Sequence, residues 1–208
     1  MSALPFMLEM SGLRAVVVGG GSVAARRVQP LVEAGAEVFV VAPSLNEELQ
    51  QLEREGRFAW QQRLAVPSES FLSELVFLCT NQPDLHVAIN EGKAPRQLVY
   101  FCDDAQNGDF YIPARLNHGL LTVSISTAGA SPSYTKRVKQ EIEQIIPERA
   151  EEELAFLQQA RAKVLQEDVA KTRKLALLKE MAAPDFLQHP HREALFEQKM
   201  VELRDPSR

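Results

Sequence analysis

The stretch Val16-Val17-Val18-Gly19-Gly20-Gly21-Ser22-Val23-Ala24 joins an apolar run to a helix-forming one. Its small residues fall in the pattern Gly19-x-Gly21-x-x-Ala24, closing a strand and opening a helix, the context that a dinucleotide fingerprint requires. The first glycine permits a tight turn, and the second lets a pyrophosphate approach the backbone. The small third residue lets helix pack on strand, and the helix N-terminus offers free N–H groups to phosphates. The plainer alternative is a strand–helix turn with no ligand.

Outward from this turn the first hundred residues alternate between apolar runs and helical patterns. "LRAVVVGG" (13–20) reads as a buried strand and "VAARRVQPLVEAG" (23–35) as the helix after it, with Ala24, Val28, Leu31 and Val32 on one face. Gly35 sits where a helix stops. Pro30 inside the pattern costs a hydrogen bond and predicts a kink. "AEVFVVAP" (36–43), "LVFLCT" (75–80) and "QLVYFCD" (97–103) are further strands, with helices expected in 45–56 and 84–94. Strands alternating with helices predict a Rossmann-like, doubly wound parallel sheet. After about residue 113 the texture changes. "LLTVSISTAG" (120–129) predicts one more strand, and Ser131-Pro132 is an N-cap and first-turn pair for a helix over 131–147. From Glu148 onward the chain lacks glycine and is rich in Ala, Leu, Glu, Lys and Gln, which predicts an almost wholly helical tail.

The 208 residues suffice for one domain plus an extension, or two small ones. A net charge of −5 argues against nucleic-acid binding as the main activity. No apolar run reaches the roughly 20 residues that span a bilayer, no signal peptide is evident, and Cys79 and Cys102 form no CxxC pair. The reading is a cytoplasmic protein with free thiols and no membrane partner.

Other positions carry chemistry. The second strand ends Val40-Val41-Ala42-Pro43-Ser44, with no Asp or Glu for a ribose 2′-hydroxyl and no arginine for a 2′-phosphate. Ser44 or backbone must read the ribose, and NAD is favoured over NADP. Cys79-Thr80-Asn81 would lie at the carboxyl edge of the sheet, where ligands of open α/β folds bind. Asp103-Asp104 ends the next strand at that edge. As a pair, one carboxylate could raise the proton affinity of the other and make a general base, or both could sit in a solvated turn. His189 and His191 read as loop residues, His86 as a helix-surface residue, and no Cys/His cluster has metal-ligand spacing.

Together these motifs resemble the precorrin-2 dehydrogenase family, the NAD-dependent part of siroheme synthases. The resemblance runs from "LPFMLEMSGLRAVVVGGGSVAARRV" through "LVFLCTNQPDLHVAI" to "CDDAQNGDFYIPARLNHGLLTVSISTAGASPSYTKRVKQEIE", about the first 145 residues. It implies an NAD-binding domain (1–112), a small α+β dimerisation region (113–148) and a helical C-terminal domain (149–208), in a homodimer. The chain ends before a methyltransferase domain would begin, so a stand-alone dehydrogenase is expected. Carried over by position, the family's catalytic aspartate falls on Asp103, ten residues before Pro113. The cofactor positions fall on Gly19, Gly20, Gly21, Ser22 and Val23, on Pro43 and Ser44, and on Thr80 and Asn81. Ser126, Thr127 and Ser131 would line the tetrapyrrole cleft, with Asp104, Arg115 and His118 beside the substrate. Lys136 and Arg137 could add positive charge for its carboxylates. Three positions depart from the family pattern: Tyr100 replaces an asparagine, His118 an arginine, and Ala128 a glycine.

The implied reaction oxidises precorrin-2 to sirohydrochlorin with NAD, with ferrous-iron insertion as an open second step and no permanent metal. Two other readings compete. One is a non-catalytic NAD- or tetrapyrrole-binding protein, such as a carrier or redox sensor. The other, a dehydrogenase for an unrelated small substrate, explains the glycines but not "SISTAGASP".

Overall fold

The computed structural model describes residues 3–104 and 107–205, and these divide into two compact units between Ile112 and Pro113. In the first unit strands and helices alternate: β1 (Arg14–Val18), α1 (Ser22–Glu33), β2 (Glu37–Ala42), α2 (Glu47–Arg54), β3 (Ala59–Gln62), β4 (Leu75–Leu78), α3 (Pro83–Glu91) and β5 (Leu98–Phe101). The sheet order is β3-β2-β1-β4-β5 and every pairing is parallel. The winding therefore reverses beside β1, which makes the carboxyl ends of β1 and β4 the switch point where such sheets bind ligands. This is the doubly wound sheet that the alternating pattern predicts.

Both faces of the sheet are covered, which is why β1 is apolar at consecutive positions. Ala15 and Val17 join one cluster with Val28 and Leu31 of α1 and Leu49 of α2. Val16 and Val18 join the other, with Leu85 and Ile89 of α3. At the end of α1, Gly35 adopts φ +82°, its N–H donates to Val32, and the next N–H, of Ala36, donates to Leu31. This pair of bonds satisfies carbonyls that the helix end would leave open. Pro30 does not break α1, which runs through it. The carbonyl that loses its partner belongs to Arg26, an exposed residue, so water can supply the missing bond.

The sequence pattern missed β3. This strand is short, lies at the sheet edge and carries polar Gln61 and Gln62, so only its pairing with β2 identifies it. Trp60 anchors it by donating its indole N–H to the Ala42 carbonyl at 2.9 Å.

The second unit begins with the antiparallel hairpin β6 (Ala114–His118) and β7 (Leu121–Ile125), turned at Gly119 with φ +57°. It continues as α4 (Pro132–Ile145), α5 (Ala150–Gln166), α6 (Lys171–Met181), α7 (Pro184–Leu187) and α8 (Arg192–Arg204). Ser131 caps α4, accepting from the Tyr134 N–H at 3.2 Å, with Pro132 at the first helical position. The tail is helical, as its composition predicts, and its helices close on a core containing Val164, Met181, Phe186, Phe196 and Met200. Among the described residues no helix is long and apolar enough to cross a membrane.

Candidate functional site

The glycine turn is fixed by the strands on either side. Gly19 donates to the Val41 carbonyl at 2.9 Å, Asn46 donates to the Gly20 carbonyl at 2.8 Å, and Cys79 donates to the Val18 carbonyl at 2.8 Å. Gly19 has φ +125°, and a Cβ there would run into the Cys79 carbonyl. A Cβ on Gly20 would collide with the Ser44 carbonyl, so these two glycines are required by the protein's own backbone. Gly21 differs, because a Cβ there would meet nothing within 4 Å. It faces open space, as a residue approached by a ligand must.

That space is a cleft of about 550 Å³ at the carboxyl ends of β1, β2 and β4. All nine positions carried over for the cofactor line it. Gly19, Gly20, Gly21, Ser22 and Val23 come from the β1–α1 turn, Pro43 and Ser44 from the end of β2, and Thr80 and Asn81 from the end of β4. The start of α1 lines this region and has no side-chain cap at Gly21, and a helix N-terminus with free N–H groups suits a pyrophosphate. Among the described residues that line the cleft none is acidic, and Ser44 supplies a hydroxyl at the end of β2. Arg63, next to the cleft-lining Leu64, is held by the Glu69 carboxylate. The Arg63 hydrogen bond, opposed by burial and aided by the Val66 N–H, keeps Glu69 below the usual carboxylate range.

Asp103 follows β5 at the same edge, with its side chain 43% exposed. Its Oδ1 lies 3.2 Å from Nδ1 of His86, and Nε2 of the same ring lies 2.8 Å from the Thr80 hydroxyl. Asp104, next in the chain, accepts from the Asn107 side chain at 2.8 Å. Asp109 takes Lys93 on both oxygens at 2.7 Å and the Val99 N–H at 2.8 Å.

Two expectations are corrected here. His86 is not on the helix surface: it is wholly buried, packed edge-on against the Phe101 ring. Leu85, His86 and Ile89 share the buried face of α3, while Val87 is exposed. The helical spacing was visible in the sequence, but residue type argued the other way. Nor are the cysteines free. Cys79 and Cys102 each follow directly the last paired residues of the adjacent strands β4 and β5, Leu78 and Phe101. That register sets their Cα atoms 5.3 Å apart, and the structure joins them as a disulfide.

Tyr100 lies inside β5, buried against Phe77 and Phe110, with its hydroxyl accepting from Arg27 at 2.7 Å. In the second unit Arg115 is an exposed residue of β6. His118 pairs with Glu143 of α4 at 3.0 Å, and Arg137 pairs with Glu141 at 2.7 Å. Ser126, Thr127 and Ser131 form the β7–α4 connection. Ser126 accepts from the Ala128 N–H, Thr127 bonds Thr135 at 3.0 Å, and Ser131 caps the helix. Lys136 lies with Lys139 along a separate shallow face of α4. Among the described residues no group of three or more His, Cys, Asp or Glu side chains gathers as metal ligands. His189 and His191 are instead held in their loop by the His191 N–H donating to Nδ1 of His189.

Comparison with known proteins places this architecture. Residues 6–114 match a family described as "Putative NAD(P)-binding", and residues 119–145 match the sirohaem biosynthesis protein central family. The precorrin-2 dehydrogenase of Bacillus subtilis (strain 168) is 32% identical over 144 residues, covering 69% of this chain and 88% of that one. The precorrin-2 dehydrogenase of Priestia megaterium is 32% identical over 176 residues, covering 84% and 87%. Siroheme synthase 1 of Yersinia enterocolitica is 34% identical over 148 residues, which is only 31% of that longer protein. The solved structure of SirC, a precorrin-2 dehydrogenase, superposes with a TM-score of 0.85 at 28% identity, over 96% of this chain and 100% of that one.

Proposed function

The chain belongs to the precorrin-2 dehydrogenase family, and from that premise we propose that it oxidises precorrin-2 to sirohydrochlorin with NAD as hydride acceptor. The observation that carries the reading is the open cleft at Gly21, formed where the family's cofactor positions converge beside the Asp103 carboxylate. The residues present fit a dinucleotide: a glycine turn in the lining with room at Gly21, a helix start without a side-chain cap, and hydroxyls on Ser44 and Thr80. With the neighbouring Arg63 engaged by Glu69 and no arginine among the described residues that line the cleft, the fit favours NAD over its 2′-phosphorylated form.

Bound there, NAD supplies the two-electron sink for the macrocycle. The rest of the chemistry belongs to the chain. The β1–α1 turn holds the phosphates and Ser44 reads a ribose hydroxyl. Asp103, half open to solvent, accepts the proton released as the substrate loses a hydride and a proton. Asp104, Arg115, His118, Ser126, Thr127 and Ser131 are assigned to the substrate side.

We assign residues 1–112 to NAD binding, 113–148 to dimerisation and 149–208 to a helical domain of a cytoplasmic homodimer. The β6–β7 hairpin and α4 support the dimer. Every residue of α4 keeps part of its surface exposed, and Leu120, Tyr134 and Ile145 are more than half exposed. A lone two-stranded sheet is marginal by itself and gains stability when a face is covered.

Purified protein given precorrin-2 and NAD should form NADH in step with the sirohydrochlorin spectrum. Tetrapyrrole binding without NADH would instead favour the carrier reading. Adding ferrous iron to the same sample tests the second step. Siroheme formation would add a chelatase reaction in which Asp103 takes pyrrole protons, and an unchanged sirohydrochlorin spectrum would confine the enzyme to oxidation.

A further inference from the structure

His86 is a buried titratable side chain that the oxidation leaves without a task. It has no exposed surface, yet both ring nitrogens are used. Nε2 meets Thr80, which lines the cofactor cleft, and Nδ1 meets Asp103, which does not. Three elements are thereby joined through one ring: the end of β4, the buried face of α3 and the end of β5.

Partner chemistry fixes the direction of the Nδ1 bond, and the neutral ring sets that of the other. A carboxylate only accepts, so Nδ1 carries the hydrogen and donates to Asp103. In the neutral ring the lone pair is then on Nε2, which takes the hydrogen of the Thr80 hydroxyl. Beside the neutral ring Thr80 has used its single donor. Toward the cleft its oxygen offers lone pairs alone, which can accept from a ribose hydroxyl or a carboxamide N–H but cannot donate to a phosphate.

We propose that His86 is a positioning residue that orients the Asp103 carboxylate for proton transfer and makes Thr80 an obligate hydrogen-bond acceptor for the cofactor. The proposal rests on the dehydrogenase reading for its catalytic arm only, since the cofactor arm is read by NAD binding. Packing against Phe101 gives the ring one orientation, so the two tasks are set together. Removing a hydrogen bond to a charged group weakens its function by about ten- to a hundredfold, and a neutral one by less.

Two substitutions separate the arms. His86→Asn places an amide N–H near the position of Nδ1 and keeps a donor for Asp103. His86→Gln reaches the position of Nε2 and keeps an acceptor for Thr80. The expected result is a crossed pattern. The Gln variant loses about tenfold more kcat than the Asn variant, and the Asn variant loses several-fold more NAD affinity by calorimetry than the Gln variant. A purely structural role would lower thermal stability and both functions in parallel, and parallel losses or equal values would overturn the proposal. Should either variant fail to fold, Thr80→Val leaves the imidazole in place and decides the cofactor arm. NAD affinity should fall several-fold, and an unchanged affinity would overturn the proposal. Wild-type protein that binds NAD but does not convert precorrin-2 would refute the dehydrogenase reading, while the affinity comparison would still decide the cofactor arm.

Discussion

Gly20 and Gly21 are neighbours with opposite reasons for being glycine. At Gly20 a methyl group would strike the Ser44 carbonyl and crowd Ala42, so Gly20→Ala should destabilise the empty protein, by about 1–3 kcal/mol for a strained, overpacked site. At Gly21 the same methyl meets nothing, so Gly21→Ala should leave the melting temperature near wild type while weakening NAD binding at least tenfold. Thermal melts and calorimetry on the two variants check the contrast, and equal behaviour would refute it. Asp103→Ala should abolish precorrin-2 turnover while NAD still binds, because Asp103 lies outside the cleft lining. At Tyr100, where the family pattern has asparagine, the hydroxyl is the acceptor for Arg27, whose Nε is buried with no hydrogen-bond partner among the described residues. Tyr100→Phe would remove the bond that the guanidinium makes through Nη2. The expected cost is about 1–3 kcal/mol in urea unfolding, with NAD affinity little changed.

Among the elements, the connection from β3 to β4 depends on a charge pair. Arg63 holds Glu69 below its usual range, so the folded protein has the lower glutamate pKa. A lowered carboxylate contributes stability that is complete above the unfolded value, about 4.3, and is lost as the pH falls through the folded one. The melting-temperature gap between wild type and Glu69→Gln should therefore be widest near neutrality and close on acidification, and a gap independent of pH would refute the pairing. Strands and helices with strong local signals were legible in the sequence: the apolar run of β1, the Ser131 cap of α4 and the Gly35 stop of α1. β3 and β6 were not, because their short, mixed sequences become strands only through partners supplied by β2 and β7.

For the whole molecule, the proposed dimer face gives the prediction with the simplest readout. Ile145→Glu places a charge at an apolar residue 78% exposed on α4, and sedimentation should move from a dimer toward a monomer. A wild-type monomer, or a variant that remains dimeric, would argue against that face.

By itself the sequence determined the strand–helix alternation apart from β3 and β6, the parallel sheet, the glycine turn and the sheet edge on which the proposed cofactor positions fall. Each of these follows from turn chemistry and apolar period, which act over a few residues. Only the tertiary structure decided the disulfide between Cys79 and Cys102, and only it removed His86 from the surface and placed the ring between Thr80 and Asp103. Asp103 is 17 positions from His86 along the chain and 3.2 Å away in space. The parallel register of β4 with β5 and the packing of α3 close that distance, and neither is written in any local run of residues.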